Sequence, residues 1–108
     1  MNVENTKSQM RKGILEFCIL SLMSDEEVYA SDIIKSLKEA ELIVVEGTLY
    51  PLLTRLKNAG LLTYSWKESE QGPPRKYYSL TEIGRTFKEE LAKTWQNLNK
   101  SVNQIAQS

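Results

Sequence analysis

From Gly13 to Met23 the chain reads GILEFCILSLM, and only Glu16 and Ser21 interrupt its apolar residues. This predicts a first helix over residues 8–23 with apolar groups on every side, which needs cover from more than one direction. Ser24-Asp25-Glu26-Glu27 is a polar break, readable as a capping box for the next helix or as the connecting turn. A second helix is expected over 29–41, with Ile33, Ile34 and Leu37 as its inward stripe. Leu49, Leu52, Leu53 and Leu56 then fall at i, i+3, i+4 and i+7, predicting a third helix from about Glu46 that ends at Asn58-Ala59-Gly60. Gly60 is placed for a left-handed cap. In Leu62-Thr63-Tyr64-Ser65-Trp66-Lys67 large side chains alternate with small or polar ones, the pattern of a strand with Leu62, Tyr64 and Trp66 on one face. A Gly/Pro turn over 69–74 leads to a second strand over 75–80, where Tyr77 and Tyr78 face opposite ways. Thr81 and Glu82 open a last helix, as N-cap and first-turn acid, that runs to about Ala106.

Helix, helix, helix, hairpin, helix is the order of a winged helix-turn-helix. The expected fold is mainly α with a two-stranded β-hairpin, comprising a winged helix-turn-helix plus a long C-terminal dimerisation helix. Residues 8–80 would form the first unit and 81–106 the second.

The third helix carries Pro51 close to its start. Proline is tolerated there because the first N–H groups of a helix have no internal partner. At 100° per residue, the face opposite the leucines holds Gly47, Pro51, Thr54 and Asn58. Thr48 and Arg55 flank it on one side, Tyr50 and Lys57 on the other. Such a face is small, polar and weakly basic. Gly47 would let another backbone approach, Thr48 and Tyr50 can donate to phosphates or base edges, and Arg55 can reach guanine or phosphate. On the hairpin, Gln71 and Gly72 lie at the tip, with Arg75 and Lys76 where a wing meets a minor groove.

Charge sharpens this picture. The 108 residues carry 14 basic and 14 acidic side chains, so a globally basic nucleic-acid binder is excluded. Distribution differs from the total: 25–46 holds seven acids against Lys35 and Lys38, while 55–88 holds seven bases against Glu68, Glu70 and Glu82. Segregation of this kind can give one face of a neutral protein a positive potential. With no histidine and only Cys18, a nitrogen- or sulfur-ligated metal site and an internal disulfide are not expected, nor is any other cofactor. The usual general base is missing and no phosphate loop is present, so no catalytic residue is assigned and an enzyme is not expected. Residues 11–23 have the basic start and apolar run of a signal peptide, but Glu16 interrupts the run and no small-x-small cleavage site is present. A cytoplasmic protein is expected.

EGTLYPLLTRLKNAGLL (46–62) and GPPRKYYSLTEIGR (72–85), with YASDIIKSL (29–37) before them, resemble the PadR family of bacterial transcriptional regulators. The likeness extends over residues 12–86. It implies a homodimeric repressor with one winged helix-turn-helix per subunit, whose first and last helices make the dimer. By position, Gly47, Thr48, Tyr50, Pro51 and Arg55 would lie on the recognition helix, and Arg75 and Lys76 on the wing. The chain is similar to the short branch of the family, in which a single C-terminal helix comes after the wing.

The last helix supports a dimer independently. Leu91, Trp95, Leu98, Val102 and Ile105 are spaced by 4, 3, 4 and 3, a heptad seam. At 1.5 Å per residue the helix would be about 37 Å long, longer than so small a domain can cover. Ile14 and Phe17 of the first helix are the expected counterparts in the interface. Trp95 allows two readings: an aromatic anchor of the dimer core, or one wall of a slot between subunits for a flat apolar compound. Some short PadR-like regulators bind multidrug-type compounds in this way, and Trp95 resembles their tryptophan in position. Ala92, Asn99, Met10, Ile14 and Phe17 are the neighbouring ligand candidates. The expected function is therefore a DNA-binding repressor on a near-palindromic duplex, modulated by a small planar ligand. The alternative is a winged-helix module that binds proteins rather than DNA, with no membrane association in either case.

Overall fold

The computed structural model describes residues 1–23, 26–42 and 45–107. Its elements are α1 (Val3–Leu22), β1 (Val28–Tyr29), α2 (Ala30–Glu39), α3 (Glu46–Asn58), β2 (Leu62–Ser69), β3 (Gly72–Leu80) and α4 (Glu82–Ala106). Ser24 and Asp25 of the expected capping box, and Ile43 and Val44 of the link before α3, lie outside the described residues.

α1 starts five residues earlier than its apolar pattern indicates. The Asn2 side chain accepts hydrogen bonds from the Glu4 and Asn5 amides, at 2.9 and 3.3 Å, and so caps a polar first turn that hydrophobic periodicity could not reveal. Its inner face supplies Leu15, Ile19 and Leu20 to the core, where they meet Ile33, Ile34 and Leu37 of α2 and Leu49, Leu53 and Leu56 of α3. Gly60 adopts φ 83°, and the Leu61 amide donates back to the Leu56 carbonyl at 3.0 Å, the closure of a left-handed helix end.

The sheet has three strands, in the order β1-β3-β2, rather than the two expected. β1 is a two-residue antiparallel addition in which Val28 pairs Tyr78 and Tyr29 pairs Tyr77. Two residues carry no readable alternation, which is why the strand is invisible in sequence. Pro73 and Pro74 belong to β3, not to the turn. They sit where the register shifts between Lys67 and Ser69, a bulge at which missing amide donors do least harm. The wing is therefore longer than expected, and its tip is Glu70-Gln71 with Gly72 at φ 147°. Tyr78 is buried while Tyr77 lies half-buried on the other face against Tyr29, their ring centroids 5.8 Å apart. Trp66 lies on the face expected of it. It shares the face of Leu62 and Tyr64 but lies 62% exposed, beyond the edge of the core, with its ring edge-on to Tyr64.

α4 begins at a joint on the end of α3. Thr81 donates its hydroxyl to the Gly60 carbonyl at 2.7 Å and its amide to the Leu61 carbonyl at 3.1 Å, and its oxygen accepts from the Gly84 amide at 2.9 Å. Gly84, the buried residue of α4, packs directly on the Leu61 backbone. The cap at Thr81 agrees with the sequence pattern; its bond across to the α3 turn has no sequence signal. Beyond Ala92 every described residue of α4 is exposed. Among the described residues no helix is long and apolar enough to cross a membrane.

Candidate nucleic-acid interface and adjoining groove

Burial of Leu49, Leu53 and Leu56 turns the opposite side of α3 to solvent, so Gly47, Thr48, Tyr50, Pro51 and Thr54 are all exposed or nearly so. This is the face projected from the sequence. Val45 precedes the helix and offers no side-chain cap; the Thr48 amide donates to the Val45 carbonyl at 2.9 Å, which leaves the Glu46 and Gly47 amides as the ones a capping side chain would have met. Tyr50 lies on the sheet side of α3. Burial raises the Tyr78 hydroxyl above its ordinary pKa, and the nearby Tyr50 and Tyr64 hydroxyls add to the shift.

Arg55 is not free. Its guanidinium pairs with the Glu16 carboxylate of α1. Both side chains are partly exposed, so the pair is worth under about 1 kcal/mol, and a phosphate can replace Glu16 at little cost. Lys67 of the wing is likewise paired, 3.0 Å from Glu27. Through the Lys67–Glu27 pair the acidic and basic segments distinguished in the sequence meet in space, whereas the acid that holds Arg55 comes from α1.

The remaining cations of the sheet lie over aromatic rings. The Arg75 guanidinium is 4.8 Å from the Tyr29 ring centroid on one face, and the Lys76 ammonium is 4.2 Å from that of Tyr64 and 5.5 Å from that of Trp66 on the other. Lys57 of α3 also lies over Tyr64, at 5.3 Å. These contacts set the charged ends of the wing cations over aromatic rings, while Arg75 and Lys67 stay exposed. The Arg75–Tyr29 contact has no signal in the sequence because it needs the two-residue β1. Gln71 and Gly72 are exposed at the wing tip.

A second feature lies between α1 and α4. Ile14, Phe17, Leu91, Trp95 and Leu98 converge on one groove, joined by Phe87, Thr94, Gly13 and Glu16. Three of the ligand candidates, Trp95, Ile14 and Phe17, are brought together here, whereas Met10, Ala92 and Asn99 do not line it. Asn99 instead accepts a hydrogen bond from Asn103, at 3.2 Å. Phe87 was readable in principle, since it extends the Leu91-Trp95-Leu98 spacing by one turn. The groove measures about 130 Å³, against the ~300–1,000 Å³ typical of small-molecule sites. Further along α4 the seam is bare, with Leu98 52%, Val102 56% and Ile105 77% exposed. Cys18 is half-buried in α1, and burial raises its thiol pKa.

Comparison with known proteins agrees with this fold. The profile of the transcriptional regulator PadR-like family matches residues 19–90. A PadR-like transcription factor from Bacteroides fragilis is 66% identical, with 94% of this chain and 98% of that one covered and a TM-score of 0.77. A PadR-like transcriptional regulator from Bacillus cereus is 40% identical over 93% of this chain and 98% of its own, with a TM-score of 0.82. A PadR family regulator from Eggerthella lenta is 30% identical, covers 98% and 93% respectively, and superimposes with a TM-score of 0.86.

Proposed function

The chain belongs to the PadR-like family of transcriptional regulators, and on that premise we propose that it is a homodimeric, sequence-specific DNA-binding repressor. In this reading α3 enters the major groove with Thr48, Tyr50, Pro51 and Thr54 towards the bases, and the wing carrying Gln71, Gly72, Arg75 and Lys76 lies over the adjacent minor groove. Arg55 exchanges Glu16 for a phosphate or a guanine. The carrying observation is the exposed polar face of α3 set beside a wing whose cations are braced on aromatic rings.

The bare seam supports the dimer. Pairing the α4 helices of two copies would bury Trp95, Leu98, Val102 and Ile105, and would hold two α3 helices on one face of a near-palindromic duplex, about 34 Å or a multiple apart. A duplex selected from a random pool tests the reading. Tyr50→Ala is expected to lower affinity for it by about 10-fold or more, the usual range for one base-edge contact, with the dimer unchanged in sedimentation. Equal affinity in wild type and variant would move the contact surface elsewhere, and no shift by a verified dimer would favour a protein-binding module.

The groove along Trp95 supports ligand control of the repressor. One subunit encloses too little space for a drug-sized molecule, so two copies meeting at the seam would complete a slot walled by paired tryptophans. A planar dye is expected to quench emission of the wild-type dimer much more than that of Trp95→Phe, in which Trp66 remains as the reference emitter. Equal quenching in the two proteins places the dye outside this slot.

A further inference from the structure

α3 has two flanks, and each faces a different neighbour. Tyr50 and Lys57 face the wing, Lys57 over the Tyr64 ring. Thr48 and Leu52 face α1 across a cleft of about 550 Å³, and Arg55 on the same flank pairs with Glu16 of α1 outside the lining of that cleft. Leu15, Leu42, Val45 and Leu52 give this cleft a large apolar wall, and the side along α1 is polar, with Asn5, Ser8, Gln9, Arg11 and Lys12. Among the described residues no carboxylate lines it. The five cations that project from α3 and the wing are each engaged with a carboxylate or a ring. Arg11 and Lys12, by contrast, have no acidic or aromatic partner among the described residues.

We propose that this cleft seats the sugar–phosphate backbone bordering the major groove that receives α3, with Arg11 and Lys12 neutralising its phosphates. The inference rests on the DNA-binding reading above and adds to it a contact surface on α1. A helix lying in a major groove is bordered by one backbone on each side. The wing meets one of them, and on the opposite flank stands α1. Charge complements the occupant, since two uncommitted cations and several neutral donors meet a polyanion. The surface is also continuous with the reading face, because Thr48 belongs to both. The uncapped start of α3 adds amide donors beside Thr48.

Phosphate neutralisation is read from the dependence of affinity on salt, whose slope in log–log form changes by about 0.9 per phosphate. The experiment compares wild type with Arg11→Gln/Lys12→Gln on the selected duplex between about 50 and 200 mM salt. With two phosphates lost per subunit in a dimer, the slope is expected to become shallower by about 3–4. Over that fourfold range the wild-type affinity would fall roughly 100-fold further than that of the variant. Lys12 is exposed, so Lys12→Gln alone preserves the fold and should show about half the change. The charge-keeping swap Arg11→Lys/Lys12→Arg should restore most of the slope. Unaltered slopes in both glutamine variants would overturn the seat while leaving the DNA-binding reading intact. Loss of the dimer in Lys12→Gln would overturn it too, by placing this surface between subunits. A wild-type dimer that binds no duplex at all removes the reading itself and the seat with it.

Discussion

Leu98→Asp/Val102→Asp is expected to convert the protein to a monomer and to lower operator affinity by about two to four orders of magnitude. Both side chains lie on the bare seam of α4, more than half exposed in the single chain, so a folded monomer tolerates the change. In a dimer four carboxylates would be enclosed in an apolar interface, at a cost of several kcal/mol per unpaired ion. The expected loss on DNA follows from the proposed two-fold arrangement. Once one α3 is seated, the second binds as if at a raised local concentration, which multiplies affinity by about 10²–10⁴ without adding any contact. Sedimentation gives the oligomeric state, and a gel shift on full and half sites gives the affinities. A variant that stays dimeric, or a monomer with undiminished affinity, would show that α4 does not assemble the reader.

Gly84→Ala is expected to destabilise the protein, because among the glycines only Gly84 would bring a Cβ against other atoms. A Cβ at this position would overlap the Leu61 carbonyl oxygen and lie 2.9 Å from the carbonyl carbon and 3.2 Å from the Leu61 Cα. Those are backbone atoms at the turn closing α3, and Thr81 ties that turn to the start of α4 through two hydrogen bonds, so neither side can yield. Alanine would gain about 1 kcal/mol of helix propensity over glycine, but overpacking against fixed backbone costs about 1–3 kcal/mol and occasionally more. The net loss should be up to about 2 kcal/mol, a fall in Tm of up to about 10 °C for a chain of this size, compared at one protein concentration. Gly47→Ala is the control of opposite sign. A Cβ there meets nothing within 4 Å, so the variant should melt at the wild-type temperature or above. A Gly84→Ala protein as stable as Gly47→Ala would mean that α4 and the α3 turn can part freely. In the proposed dimer the joint would have a functional side as well, since the direction in which α4 leaves the rest of the chain would set the separation of the two α3 helices.

The order of the helices, the exposed side of α3, the cap at Thr81 and the left-handed turn at Gly60 were all legible in the chain itself. Each depends on residues within about one helical turn of one another, and that proximity is written directly into the spacing. The heptad from Leu91 to Ile105 was legible for the same reason. Folding alone decided what joins distant segments. The two-residue β1 exists because β3 offers it an edge, and Tyr29 acquires Arg75 only through that pairing. Glu16 and Arg55 lie 39 positions apart and meet because α1 crosses the flank of α3. Gly84 must lack a side chain because Leu61, 23 positions earlier, passes beneath it. Periodicity reports which side of an element turns inward. Which neighbour it meets there depends on how all the elements share one small core, and no local pattern holds that information.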